Sequence, residues 1–188
     1  MRTGDLFLQL LQAIGSGKAP EFLDAHPSAK AFVEAPKPSP ESFGTATYFG
    51  VNAFKLVNAE GKETYIRYRV VPLAGEKALS AEALKEKPDS YLFDKLPSDL
   101  PIKLKLVAQL AEEGDTTDDA TVHWPESREI VELGEIVVEK VAEEQEQTQK
   151  KIIFDPIPRV EGVEPSDDPL LEQRAGVYLV SGKIRREA

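Results

Sequence analysis

Two arginines and a tyrosine near the end of the chain have a spacing that could serve metal chemistry. Arg174 precedes Tyr178 by four residues, and Arg185 follows the tyrosine by seven. Residues four and seven apart lie on one face of an α-helix. A free phenol has a pKa near ~10, so a neutral tyrosine has no need of neighbouring cations. The pattern is therefore compatible with a tyrosine that acts as a phenolate.

The chemistry that a phenolate offers at this position is binding of ferric iron. Tyrosinate is the axial ligand of the iron in one class of haem proteins, and a nearby guanidinium favours the charged oxygen. The second arginine, nearly two turns further along, could face a haem propionate because a guanidinium matches carboxylate geometry. Spacing alone favours a surface helix with a half-buried tyrosine and two solvated arginines, because R-x-x-x-Y is a common pattern.

Composition limits the possible function classes. The chain has 188 residues, 41% of them hydrophobic, which predicts one globular domain. A formal charge of -10 argues against a nucleic-acid partner, and no apolar run reaches the ~20 residues of a membrane span. The absence of cysteine excludes disulfides, thiolate metal sites and thiol catalysis, and two histidines are too few for a histidine metal cluster. The first residues are typical of an amphipathic helix and not of a signal peptide, so a cytoplasmic location is expected.

The elements predicted from periodicity are helices around an antiparallel sheet, an α+β pattern. A helix is expected near the start, and a second over "PEFLDAHPSAKAFVEA" that His26-Pro27 interrupts. A short helix is predicted at "SAEALKEK" and a turn of helix at "SYLFDKL". Four strands are predicted at "FGTATYFGVNAFKLV", "KETYIRYRVV", "IKLKLVAQLA" and "REIVELGEIVVEKV", the last with a bulge at Gly134.

The C-terminal helix has clear start signals. Asp168 is predicted as its N-cap and Pro169 as its first residue. The charged run "AEEQEQTQKK" before it is expected to be a solvated linker. We therefore divide one domain, 1–188, into three parts: N-terminal helices with a proline-rich connector at 1–42, a four-stranded sheet with a helical insertion at 43–141, and a linker with the C-terminal helix at 142–188.

Several motifs, taken in order, resemble the catalase family. They are "FKLVNAEG", "DDATVHWP", "VELGEIVVEK", "IIFDP" and "EPSDDPLLEQRAGVY", followed by Arg185. The likeness runs from about Phe43 to Arg185, and the short ending resembles the small catalase-related haem peroxidases. The resemblance implies a catalase-like antiparallel β-barrel, of which this chain holds a half barrel of about four strands. It also implies ferric haem b as cofactor and hydrogen peroxide as substrate.

The resemblance assigns a role to each candidate residue. Tyr178 matches the axial iron ligand, Arg174 the arginine that donates to the phenolate, and Arg185 a propionate partner. Asp168 matches a carboxylate that extends this proximal network. Asn52 stands where the family often has a histidine, and its amide can hydrogen-bond but carries no charge.

The catalytic residues on the other side of the haem are expected outside this chain. The family carries its distal histidine and asparagine in the N-terminal half of the barrel, whereas His26 here is expected at a helix end and His123 in a structural motif. Three functions stay open: part of a haem peroxidase, a haem carrier without peroxide chemistry, or an apo interaction protein. Allene-oxide-synthase-type chemistry on the same fold is a further alternative. A half barrel leaves strand edges unpaired, which predicts a homodimer, a separate N-terminal half, or N-terminal helices that cover the open face.

Overall fold

Three short helices open the computed structural model, which describes residues 1–187. They are α1 (Gly4–Gly15), α2 (Ala19–Ala25) and α3 (Pro27–Glu34). The Thr3 hydroxyl caps α1 by accepting from the Leu6 amide. A proline ring fixes φ and lacks an N–H, so Pro27 ends one helix and begins the next, as predicted.

One antiparallel sheet forms the centre of the molecule, and it confirms the predicted fold class. Its strands, in the order β5-β4-β3-β2-β6 with β1 paired to β3, are β1 (Tyr48–Phe49), β2 (Phe54–Val57), β3 (Glu63–Pro72), β4 (Ile102–Leu110), β5 (Ile130–Val138) and β6 (Val163–Pro165). The predicted hairpin of β2 and β3 is present, with Phe54 opposite Ile66. The predicted irregularity at Gly134 is also present, because the register of β4 and β5 shifts beside it.

The strand count differs from the prediction of four. The predicted first strand breaks into β1 and β2, because the chain between them turns so that Asn52 and Ala53 are buried. β6 pairs with β2 and was missed, since a three-residue strand that ends in proline has too little pattern to be seen. The expectation that a half barrel leaves its strand edges unpaired is therefore wrong for β2, whose outer edge pairs with β6.

Four further helices complete the described part of the chain. They are α4 (Ala81–Lys85), α5 (Tyr91–Asp99), α6 (Gln145–Lys151) and α7 (Pro169–Glu187). α4 and α5 fulfil the predicted helical insertion, and α7 the predicted C-terminal helix. α6 lies within the segment expected to be a linker, where good helix formers give a short exposed helix. Within residues 1–187, no helix is long and apolar enough to cross a membrane.

Buried side chains lie on both faces of the sheet, and they fix the loops and helices that pack on it. Ile66 on β3 and Ala108 on β4 lie on the same face of the sheet, and both are fully buried. On the other face Arg67 and Gln109 lie under the loop after β4, whose Trp124 is also buried. The N-terminal helices lie beside this loop, to which Arg2 is held by ion pairs with the loop's aspartates. They do not bury the side chains of β5, which stay exposed.

Candidate functional site

A cavity of about 570 Å³ lies between the N-terminal helices, α7 and the loop after β4. Tyr178 and Arg174 border it from α7, and His123 borders it from the loop. The rest of its wall is mostly apolar, including Phe7, Leu10, Leu23, Phe32, Val33, Val51, Leu170 and Val177. Its size and apolar wall with a few polar groups are typical of a cofactor site.

A chain of hydrogen bonds links α7 to the turn between β1 and β2. Arg174 Nη1 donates to Asn52 Oδ1 over 2.7 Å, and Asn52 Nδ2 donates to Asp168 Oδ2 over 2.8 Å. Asn52 and Asp168 are buried, with 4% and 2% of their surface exposed. Both bonds involve a charged partner, which makes them stronger than bonds between neutral groups. The amide of Asn52 thus separates the carboxylate from the guanidinium and fixes the position of both.

Asp168 also forms a hydrogen bond at the start of α7. Its Oδ1 atom accepts from the Leu170 amide at 2.9 Å, so the carboxylate caps the helix as predicted. A negative charge at a helix N-terminus also interacts favourably with the helix dipole. One buried carboxylate therefore sets the start of α7 and, through Asn52, the place of Arg174 on it.

The Tyr178 ring is half-buried between two neighbours. The Arg174 guanidinium carbon lies 5.5 Å from the ring centroid, and Phe154 makes an edge contact at 6.4 Å. Within residues 1–187 the tyrosine hydroxyl forms no hydrogen bond, and the residue is part of the cavity wall. The structure places the cation against the ring face. It brings Tyr178, Arg174, Asn52 and Asp168 into one contiguous group.

Arg185 lies apart from that group. Its Nη1 atom donates to Ser181 Oγ at 2.7 Å and its Nη2 atom to the Ile152 carbonyl at 2.6 Å. The guanidinium also lies over Phe154, 5.2 Å from the ring centroid. Its Nε atom is buried and has no hydrogen-bond partner among the described residues. In this arrangement Arg185 does not border the cavity.

The two histidines have different environments. His26 is stacked on Phe22 with ring centroids 4.0 Å apart, and its Nδ1 atom lies 2.7 Å from the Phe22 carbonyl oxygen. It lies at the junction of α2 and α3, the helix end where it was expected. His123 is exposed and borders the cavity, which its place in the sequence motif did not indicate.

Arg67, on β3, is a buried charged residue that the sequence did not indicate as part of a site. Its guanidinium donates to the Val122 carbonyl at 2.7 Å and to the Asp119 carbonyl at 3.2 Å, and it lies 4.3 Å from the centroid of a Trp124 ring. Burial lowers the pKa of Arg67, and the nearby carboxylates, that of Asp168 first, oppose this shift. The arginine holds the loop that forms one wall of the cavity.

Comparison with known proteins gives concordant matches over most of the chain. The family profile described as "Catalase" matches residues 21–186. Two curated relatives named "Catalase-related peroxidase" are each 32% identical to the chain. The relative from Synechococcus elongatus aligns over 170 residues, which are 87% of this chain and 50% of that protein. The relative from Mycolicibacterium paratuberculosis aligns over 194 residues, 97% of this chain and 62% of that protein.

The fold is also found among solved structures. A structure described as "Structure of a bacterial catalase" superposes with a TM-score of 0.73 at 21% identity, over 89% of this chain and 36% of that chain. At this identity the likeness concerns the fold alone. The chain spans 50% and 62% of the lengths of the two curated relatives that it matches.

Proposed function

The chain belongs to the catalase family, and from that premise we propose that it forms the tyrosinate side of a haem site in a peroxidase or catalase that acts on hydrogen peroxide. The observation that carries the proposal is the position of Tyr178. Tyr178 lines an apolar cavity, its hydroxyl forms no hydrogen bond with a described residue, and Arg174, oriented by Asn52 and Asp168, lies against its ring.

The residues at the cavity fit a ferric haem. Phenolate oxygen is an established ligand of ferric haem iron, and the apolar wall suits the body of a macrocycle. When bound, haem supplies the redox chemistry with peroxide. The protein's part would be to supply the oxygen ligand and to hold it in one orientation between Arg174 and Phe154.

Arg174 stabilises the ionised ligand in this proposal. A guanidinium beside a phenolate favours the charged form of the phenol. Asn52 accepts from Arg174 and so keeps it from turning into solvent, while Asp168 fixes the orientation of the Asn52 amide. Because Asn52 is neutral, the guanidinium is not paired directly with a carboxylate, and its charge acts on the tyrosine.

Arg185 is proposed to bind a propionate group. Its buried, unpaired Nε atom supports this role, because an unsatisfied donor is costly until it meets an acceptor. The present contact of Nη2 with the Ile152 carbonyl must open for the side chain to reach the cofactor. We expect a carboxylate to compete successfully with a neutral carbonyl for a charged donor.

A haem-binding protein without peroxide turnover is the second candidate. The observation that favours it is the position of the histidines. His26 is engaged with Phe22 through its ring and its Nδ1 atom. His123 is exposed at the cavity border, and no buried imidazole borders the cavity within the described residues. General acid–base help from a positioned histidine is typically worth ~10² to 10⁴ in rate. Peroxide turnover by this 188-residue chain is therefore expected to be slow, and comparison with an intact catalase at equal haem content distinguishes the two candidates.

The experiment that tests the proposal is a haem titration of wild type, Tyr178→Phe and Tyr65→Phe. Tyr65 lies on β3, outside the cavity wall, and controls for the loss of a phenol. We expect wild type and Tyr65→Phe to bind one haem with a high-spin ferric tyrosinate spectrum, which Tyr178→Phe lacks. An unchanged spectrum in Tyr178→Phe would exclude Tyr178 as ligand, and no binding by wild type would exclude the function.

A further inference from the structure

Residues 152–154, which follow α6, lie against the C-terminal half of α7, and we call them the strap. The Ile152 carbonyl accepts from Arg185 Nη2 over 2.6 Å, and the Phe154 ring centroid lies 5.2 Å from the guanidinium carbon of the same arginine. Phe154 also makes the edge contact with Tyr178, with ring centroids 6.4 Å apart. One arginine therefore holds both ends of the strap, and the strap contacts the residue proposed as the iron ligand.

The middle residue of the strap packs on α7 at a position that glycine leaves open. A Cβ atom at Gly182 would overlap the Cδ1 atom of Ile153, so a large side chain there would displace Ile153. Gly182 is one of the two buried residues of α7. Gly176 on the same helix is exposed, and a Cβ atom there would meet no atom within 4 Å outside the helix backbone. The close approach of Ile153 to Gly182 therefore forms a third contact between the strap and α7.

The guanidinium of Arg185 is incompletely paired while it holds the strap. Its Nε atom is buried without a partner among the described residues, and Nη2 donates to a neutral carbonyl. A carboxylate binds a guanidinium more strongly than a carbonyl does, and it can accept from two neighbouring nitrogens at once. Little burial opposes release of the strap, because 52% of the Phe154 surface is already exposed. The arrangement therefore favours exchange of the Ile152 carbonyl for a carboxylate.

We propose that Arg185 is a latch, which holds the strap against Tyr178 until a carboxylate of the ligand replaces the Ile152 carbonyl. This inference rests on the proposed function, in which the propionates of a haem supply the carboxylate. A carboxylate that accepts from Nε and Nη2 side by side competes with Ile152 for Nη2 and draws the guanidinium away from Phe154. The strap is then free to leave Tyr178, so recognition of the carboxylate comes before ligation of the iron. A ligand without a carboxylate must wait until the latch opens by itself.

Stopped-flow absorbance with the full chain tests the latch, with haem and haem dimethyl ester as the two probes. The ester has the same ring and iron but no carboxylate. In wild type it is expected to bind at least about tenfold more slowly than haem, since a charge-assisted hydrogen bond must open without compensation. Arg185→Met is expected to bind both probes at one rate, and to bind the ester faster than wild type does. Arg186→Met removes an exposed arginine beside it and is expected to retain the wild-type difference. An arginine that only contacts a propionate leaves the ester rate unchanged, so an ester rate in Arg185→Met equal to that in wild type would overturn the proposal.

Gly182→Leu separates the latch from propionate binding, because this variant keeps Arg185. The leucine takes the place of Ile153 and displaces the strap, so the ester is expected to bind faster than it binds to wild type. Gly176→Leu places the same residue at the exposed position and is expected to leave the ester rate unchanged. Equal ester rates in the two variants would contradict the role of the strap.

Fluorine NMR of the free chain, with para-fluorophenylalanine at position 154, tests the latch without haem. The wild-type resonance is expected to be broad because the ring is held, and to become sharper in Arg185→Met. The same line width and chemical shift in both proteins would overturn the proposal. If wild type binds no haem, the proposed function fails, whereas the fluorine spectra still decide whether Arg185 holds the strap.

Discussion

Replacement of Asn52 by leucine tests the hydrogen-bond chain that orients Arg174. Leucine has the same branched skeleton of side-chain heavy atoms as asparagine, so Asn52→Leu keeps the shape of the side chain and removes the amide. Asp168 then loses a donor at 2.8 Å, and Arg174 loses an acceptor at 2.7 Å. The carboxylate is 2% exposed and has little access to water as a substitute.

The expected loss of stability follows from these two bonds. A hydrogen bond to a charged group is worth roughly 1.5–3 kcal/mol. The half-buried guanidinium of Arg174 can turn towards water, so the loss of its hydrogen bond costs an amount at the low end of this range. Asp168 is buried, so the loss of its hydrogen bond costs more. We expect the free energy of unfolding to fall by about 3–4 kcal/mol, a large part of the ~5–15 kcal/mol of a typical domain.

A second substitution, Asn52→Asp, gives the same site a pH signature. It replaces the Nδ2 donor with an oxygen that faces Asp168 Oδ2, while the other oxygen stays beside Arg174. Two carboxylate oxygens cannot share that contact without a proton, so one of the two groups must be protonated or the contact must open. The pKa of such a pair is raised on folding, so the variant is destabilised at neutral pH and recovers as the pH falls. Urea denaturation followed by circular dichroism at pH 7 and pH 4.5 measures both variants against wild type.

The control is Gln147→Leu, an exposed amide on α6, which is expected to change stability by less than ~0.5 kcal/mol. If Asn52→Leu resembles this control, the amide does not support α7. If the deficit of Asn52→Asp is the same at both pH values, the new carboxylate does not face Asp168. Either result refutes the network on which the orientation of Arg174 depends.

Three further predictions concern charge and packing. Arg174→Ala removes the cation that lies over the Tyr178 ring and favours an ionised ligand, so haem should be retained less well than in wild type but better than in Tyr178→Phe; retention equal to that of wild type would contradict this role. The hydrogen bond from Arg128 lowers the pKa of Asp115, so this pair stabilises the fold above pH ~4 and is lost below it. Asp115→Asn should therefore flatten the fall of unfolding free energy between pH 5 and pH 3, and a slope equal to that of wild type would show that the pair contributes nothing. Leu171→Ala on the buried side of α7 should cost ~2–5 kcal/mol, whereas Leu179→Ala, 60% exposed, should be nearly neutral, and equal losses would contradict the orientation of the helix.

Local signals predicted the elements whose ends are set by local chemistry. Asp168 and Pro169 fixed the start of α7, and Pro27 fixed the division between α2 and α3. The bulge at Gly134 was predicted for the same reason, since glycine relieves a backbone irregularity. β6 was missed because a strand of three residues is defined by its partner and not by its own side chains.

The site depends on contacts that local patterns do not contain. Asn52 and Arg174 are 122 positions apart, and only the family resemblance placed them in one network. The burial of Arg67 was not predicted, because strand alternation assigns a side to each residue but not the loop that covers it. The position of His123 at the cavity was also not predicted, because the sequence does not show where the loop after β4 lies.

Resonance Raman spectroscopy of the haem-loaded chain tests the central claim most directly. Protein made with ring-deuterated tyrosine is compared with unlabelled protein, in wild type and in Tyr65→Phe. If the Tyr178 oxygen binds the iron, iron-phenolate bands are present in both and shift on labelling. Haem bound without such bands, or bands that persist in Tyr178→Phe, would contradict the assignment of Tyr178 as the axial ligand.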